Sequence, residues 1–168
     1  MRKNGFTLIE LLVVVAIIGA LAAVGVVAYN GYVKAARINM SKANHTNTVK
    51  FISSELKKCD LGQEVILKYT YSKATGKITY SDNICTDVFA NNVSEVSSAF
   101  HNHFNAPRTC NPHGLKDGSG NCQQAIASGG NIQYGKLGET QIHVSGNNIV
   151  IVTKVSGILN VNDGAEIL

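Results

Sequence analysis

Residues 11–29 run for 19 positions without a charge. About 20 consecutive apolar residues let a helix cross a hydrocarbon layer about 30 Å thick. Arg2 and Lys3 precede the run, and Glu10 is the one acid at its edge. Beyond the run the pattern becomes amphipathic. Val33, Ala36, Met40 and Ala43 share one helical face, and Val49, Ile52, Leu56 and Cys59 share another stretch of face. The phase slips at His45-Thr46-Asn47-Thr48. No proline interrupts residues 6–58, although Gly31 weakens the middle. The spacing therefore predicts one helix over about residues 6–58, roughly 80 Å long at 1.5 Å per residue. Its first half would lie in lipid, and its second half would pack against a sheet.

After Gly62 the period changes. Residues 65–71 are rich in branched and aromatic side chains and predict a strand. Thr75-Gly76 supplies a turn, and residues 77–80 would return as the hairpin partner. Val93, Val96, Phe100 and Phe104 recur near helical spacing, which predicts a short helix over 93–104 capped by Asn92. Residues 105–120 contain Pro107, Pro112 and several glycines and read as a loop. Late strands at 140–144 and 148–155 flank the hairpin signal Ser145-Gly146-Asn147. The fold class is α+β: a long amino-terminal helix packed against an antiparallel β-sheet head. A chain of 168 residues leaves room for one compact domain beyond the membrane helix.

The amino end is the most specific part of the sequence. Phe6-Thr7-Leu8-Ile9-Glu10-Leu11-Leu12, Ala16-Ile17-Ile18-Gly19 and Ala28-Tyr29 resemble the type IV pilin and pseudopilin family over roughly residues 4–32. The resemblance implies a pilin-like fold and a leader, residues 1–5, removed by prepilin peptidase after Gly5. It implies N-methylation of the new amino terminus at Phe6. It also assigns Glu10 to an assembly salt bridge with the amino group of a neighbouring subunit's Phe6. On this reading residues 6–29 are the membrane-spanning and assembly half of the helix. Residues 30–168 are an extracytoplasmic head that includes the amphipathic half. The partners implied are copies of the chain or other pilins in a helical filament, the peptidase, the membrane and an inner-membrane assembly platform. Many family members have a helix-kinking proline where this chain has Val27, and nearby Gly25 is a second source of local flexibility.

Physical chemistry is consistent with the implied role of Glu10. A carboxylate at membrane depth is costly, and an opposite charge within a few Å recovers much of that cost. An ordinary secretory signal fits less well. Its apolar core spans about 7–15 residues and precedes the cleavage site; here the run is longer and Gly5 comes before it. A generic anchor explains the length but neither Gly5-Phe6 nor Glu10. Arg2 and Lys3 favour a cytoplasmic amino end. The head would then be periplasmic while the subunit waits in the inner membrane, and extracellular once it is in a pilus.

Charge changes this picture modestly. The formal charge is +4, and loss of Arg2 and Lys3 from 15 basic residues leaves 13 against 11 acids. Nine basic residues fall between Lys34 and Lys77, with only Glu55, Asp60 and Glu64 to oppose them. From Ser81 onward four basic residues face seven acids. The basic stretch reads first as a solvated helix face, with lipid headgroups, an acidic neighbouring subunit or weak DNA binding as alternatives.

Cys59, Cys85, Cys110 and Cys122 form an even set outside the cytoplasm, so two disulfides are expected. Three pairings are open. Cys59–Cys85 with Cys110–Cys122 is preferred because both close short loops. Zinc is the alternative, since His101, His103 and His113 lie close in sequence, but a Cys-x2-4-Cys pair is missing. Asp117-Gly118-Ser119-Gly120-Asn121 invites a calcium reading, yet it supplies few of the six to eight oxygens calcium takes. A glycine-rich turn is the simpler account. The sequence has no HExxH motif, P-loop or nucleophile elbow, and neither an enzyme nor a cofactor is expected. Three functions remain: a type IV pilus subunit serving adhesion, motility or DNA uptake, a pseudopilin of type II secretion, and an anchored binding module that never polymerises.

Overall fold

A computed structural model describes residues 5–72, 74–106, 109–128 and 136–155. The elements, in chain order, are α1 (Leu8–Asp60), β1 (Ile66–Tyr71), β2 (Ile78–Asn83), α2 (Cys85–Phe89), α3 (Val93–Asn105), β3 (Ile126–Ser128), β4 (Thr140–Ser145) and β5 (Asn148–Thr153). The chain divides into two compact units, Met1–Ala36 and Arg37–Leu168.

In the first unit α1 is helical without interruption through Gly25 and Val27. Ile9, Leu11, Val13, Ile17, Leu21 and Val24 are all exposed. A helix that is apolar all round satisfies its own backbone and leaves its side chains for an apolar environment.

In the second unit α1 buries Ser41, His45, Thr48, Ile52, Leu56 and Cys59. The spacing of this face never slips. The sequence reading located the face differently, since Met40 is 56% exposed and Ala43 is also exposed. The reason is local hydrogen bonding, which makes small polar residues cheap to bury. The Ser41 hydroxyl donates to the Arg37 carbonyl at 3.0 Å, and the Thr48 hydroxyl donates to the Asn44 carbonyl at 2.8 Å. His45 Nδ1 lies 3.0 Å from Thr153 Oγ1, itself 2.7 Å from Thr140 Oγ1. The helix thus meets β4 and β5 through a buried polar chain. It ends where Gly62 takes φ +72° and Gln63 N–H donates to the Lys58 carbonyl at 3.0 Å. A glycine in this left-handed conformation is a common way to satisfy the last helical carbonyls.

The head holds two small sheets where a single antiparallel one was expected. β1 and β2 form an antiparallel pair, turned near Gly76 at φ +67°. The second sheet has the order β3-β4-β5. β4 and β5 are antiparallel, with Ser145 opposite Asn148, but β3 pairs parallel to β4. β3 is three residues long and α2 five, too short for periodicity to register. α3 begins as expected, but Asn92 makes no side-chain cap. Its Nδ2 is instead 3.4 Å from Asp87 Oδ1, because α2 ends immediately upstream. Phe100, Ile52, Leu67, Ile142, Ile149 and Ile151 are fully buried at the centre of the core. Disulfides join Cys59 to Cys85 and Cys110 to Cys122, with Cα separations of 5.3 and 5.4 Å. The first ties the end of α1 to the start of α2. The second closes the loop before β3; Pro107, expected in that loop, lies outside the described residues.

Candidate functional site

The site begins at the amino end of α1. Residues 1–4, including Arg2 and Lys3, lie outside the described residues. Gly5, Phe6 and Thr7 are exposed and non-helical, so the Gly5–Phe6 bond stands in an accessible segment just ahead of the helix. Glu10 sits in the first turn of α1. Thr7 N–H donates to Glu10 Oε2 at 2.8 Å, and the Thr7 hydroxyl donates to the same oxygen at 2.6 Å. Glu10 N–H points back to Thr7 Oγ1 at 3.4 Å. This is a reciprocal capping box, in which two otherwise orphaned helix-start donors find partners. The role of Thr7 was missed in the sequence reading, although Thr7-x-x-Glu10 ahead of an apolar run is its recognised signature. The carboxylate therefore has a partner within its own chain, oriented by the helix start.

Behind this start, α1 is long and apolar enough to cross a membrane. Residues 1–26 match the family model of the prokaryotic N-terminal methylation motif. The chain carries the signature of type IV pilins and pseudopilins. No curated protein and no solved structure matches it. The pilin motif and the apolar helix together point to membrane anchoring before assembly. Pilins and pseudopilins are a structural family, and the motif implies assembly with other pilins and a prepilin peptidase.

The histidines are not gathered into a ligand set. His103 stacks on Phe51 at 4.7 Å, and its Nδ1 accepts the Lys68 N–H at 3.1 Å. His101 is half-buried on α3, and His113 lies where a Cβ on Gly138 would strike its ring. Among the described residues no group of three His, Cys, Asp or Glu side chains is placed to hold a metal. In the Asp117 turn, Oδ1 accepts from Ser119 N–H at 3.0 Å and Asn121 N–H at 2.9 Å. Those bonds close a turn, as its glycines suggest.

Burial holds the His101, His103 and His113 imidazoles below the usual histidine range. Lys68 adds to the effect on His103 and Glu55 opposes it, while Arg37 adds to that on His113. The unfolded chain therefore takes up protons that the folded chain resists. The stabilisation is complete above the unfolded value and is lost as pH falls through the depressed folded values. Thermal unfolding of the full chain in detergent should show Tm falling between about pH 7.5 and about pH 5.5. His103→Gln, which keeps a side-chain acceptor but does not titrate, should flatten that slope. An unchanged slope would remove His103 from this account.

Proposed function

We propose that the chain is the structural subunit of a type IV pilus filament, cleaved after Gly5, N-methylated at Phe6 and polymerised through its apolar helix. The observation that carries this reading is the motif at residues 1–26 leading directly into an exposed apolar helix. Residues 1–5 are the leader, 6–29 the membrane and assembly half of the helix, and 30–168 the extracytoplasmic head. The amino end faces the cytoplasm before assembly and the head faces the periplasm; in the pilus the head is extracellular. Glu10 neutralises the Phe6 ammonium of an adjacent subunit, and apolar stems bury one another as copies add. The mature subunit carries out no bond chemistry. Its outer surface serves adhesion, motility or DNA uptake. In the unassembled subunit Lys42, Lys50 and Lys57 are exposed, which supports a weak, sequence-independent affinity of the free head for DNA that salt would release.

Type II secretion pseudopilins share the amino-terminal motif. The stapled Cys110–Cys122 loop supports the pilus reading over that one. Amino-terminal mass spectrometry of membrane-purified protein should find a chain starting at methylated Phe6. A retained Met1, or a cut after residue 29, would sink the family reading. Filaments containing the chain in shear fractions are expected of a pilus subunit. Correct processing without surface filaments would favour the secretion role.

A further inference from the structure

Two surfaces of unlike charge stand in the head. The first is the outward face of α1. Lys42, Lys50 and Lys57 are exposed along it, spaced by about 12 and about 10 Å. Among residues 42–57 the sole acid is Glu55, whose side chain is 12% exposed and is held by Lys58 at 2.7 Å. Asp60, exposed at the end of α1 three residues beyond Lys57, is the one exposed carboxylate along this stretch of the helix.

The second surface is a cleft of about 390 Å3 between the β1–β2 hairpin and α3. Tyr69 and Tyr80 wall it, 49% and 62% exposed, and Asp82, Asp87 and Glu95 line it. Among the described residues none of these three acids pairs with a lysine or arginine. Three carboxylates on a flat surface would be an ordinary solvated patch. Here they sit in a concave site with two aromatic rings, and ring faces attract ammonium groups. The cleft thus suits alkylammonium groups.

We infer that the cleft receives the Lys42–Lys50–Lys57 face of α1 from a second copy of this chain. The inference deepens the filament reading and rests on it. The occupant is argued from charge: three cations on one copy face three carboxylates on the next, and both surfaces are exposed. The cleft and the lysine face are different parts of one chain, so the contact is head-to-tail. Each added copy leaves one free cleft and one free lysine face. A contact that does not use itself up builds an open filament unless its rotation closes a ring. Exposed ion pairs are individually weak and screened by salt. Such a contact fixes the register of heads whose cohesion comes from the apolar stems.

The test uses the full-length chain. Unlabelled and 15N-labelled protein are mixed in detergent at low salt, coupled with a carbodiimide and mapped by mass spectrometry. Mixed-isotope links should join the peptides of Asp82, Asp87 or Glu95 to those of Lys42, Lys50 or Lys57, and should fade as salt rises. Because the coupling consumes these groups themselves, the contact is read from those each variant keeps: Asp87→Asn/Glu95→Gln should lower links at Asp82, and Lys50→Gln/Lys57→Gln should lower links at Lys42, each by about tenfold. Mixing the two variants should restore links of one polarity, from the intact cleft of the lysine variant to the intact lysines of the acid variant. All these changes are at the surface, and this recovery also shows that both variants are folded. Filaments in electron micrographs without mixed-isotope links at the cleft would overturn the inference and leave the filament reading standing. Cleft links to lysines of a different polypeptide would overturn it too. Mixed-isotope links from a chain that forms no filaments in cells would support the cleft contact and strike the filament reading alone.

Discussion

Glu10→Ala should give a subunit that reaches the membrane at normal levels and builds few or no filaments when it is the sole copy. The substitution removes a charge from the edge of the apolar run, so insertion does not suffer. On the proposed assembly the Phe6 ammonium then loses its partner between subunits. A cation left at membrane depth costs about 3 kcal/mol on insertion scales. That penalty recurs with every added subunit, so growth should stop. The structure adds a confounding loss, because Glu10 is also half of a capping box with Thr7. Losing a cap costs about 1 kcal/mol at the helix start. Glu10→Gln separates the two roles. Glutamine can serve in the box but carries no charge, so it should keep the helix start and still fail to assemble. Electron microscopy of shear fractions measures both variants. Normal filament number and length with Glu10→Gln would show that the charge is not what assembly uses.

Phe100→Ala should cost the head about 3–5 kcal/mol, the usual range for emptying a fully buried phenylalanine site. Phe100 is 0% exposed, and its ring meets Phe51 edge-on with centroids 6.3 Å apart. It lies on α3, whose neighbours include both sheets. Whole domains are stable by only about 5–15 kcal/mol, so the variant should unfold at a much lower temperature or accumulate poorly. Phe89→Ala is the matched control. Phe89 is 68% exposed, and its loss should change stability by less than about 0.5 kcal/mol. Thermal unfolding of both variants with disulfides intact makes the comparison. A loss below about 1.5 kcal/mol for Phe100→Ala would mean that neighbouring side chains collapse into the space.

What local pattern alone determined is clear from particular residues. The uncharged run at 11–29 allowed little but a membrane-length helix, because every backbone group in lipid must be satisfied within the segment. Gly5-Phe6 and Glu10 pointed to the methylation motif that residues 1–26 match, because its signal lies within a few residues. The hairpins turning at Gly76 and Gly146 and the helix containing Val93, Val96 and Phe100 were readable for the same reason: their signals lie within a few residues of each other. Tertiary structure decided the rest. His45 and Thr48 read as part of a break in an apolar face, yet they and Ser41 are buried, because His45 meets Thr153 and the Ser41 and Thr48 hydroxyls bond back to their own helix. Asn92 was available as a cap but turns to Asp87, which α2 places beside it. β3 exists only because three residues find the edge of β4 in parallel, a pairing with no local signature. Which of three cysteine pairings forms depends on where the end of α1 meets the start of α2. The acid-and-tyrosine cleft likewise needs β1, β2 and α3 together, since its residues span positions 69–99. Burial, pairing and concavity belong to distant segments brought into contact, and no window of sequence contains them.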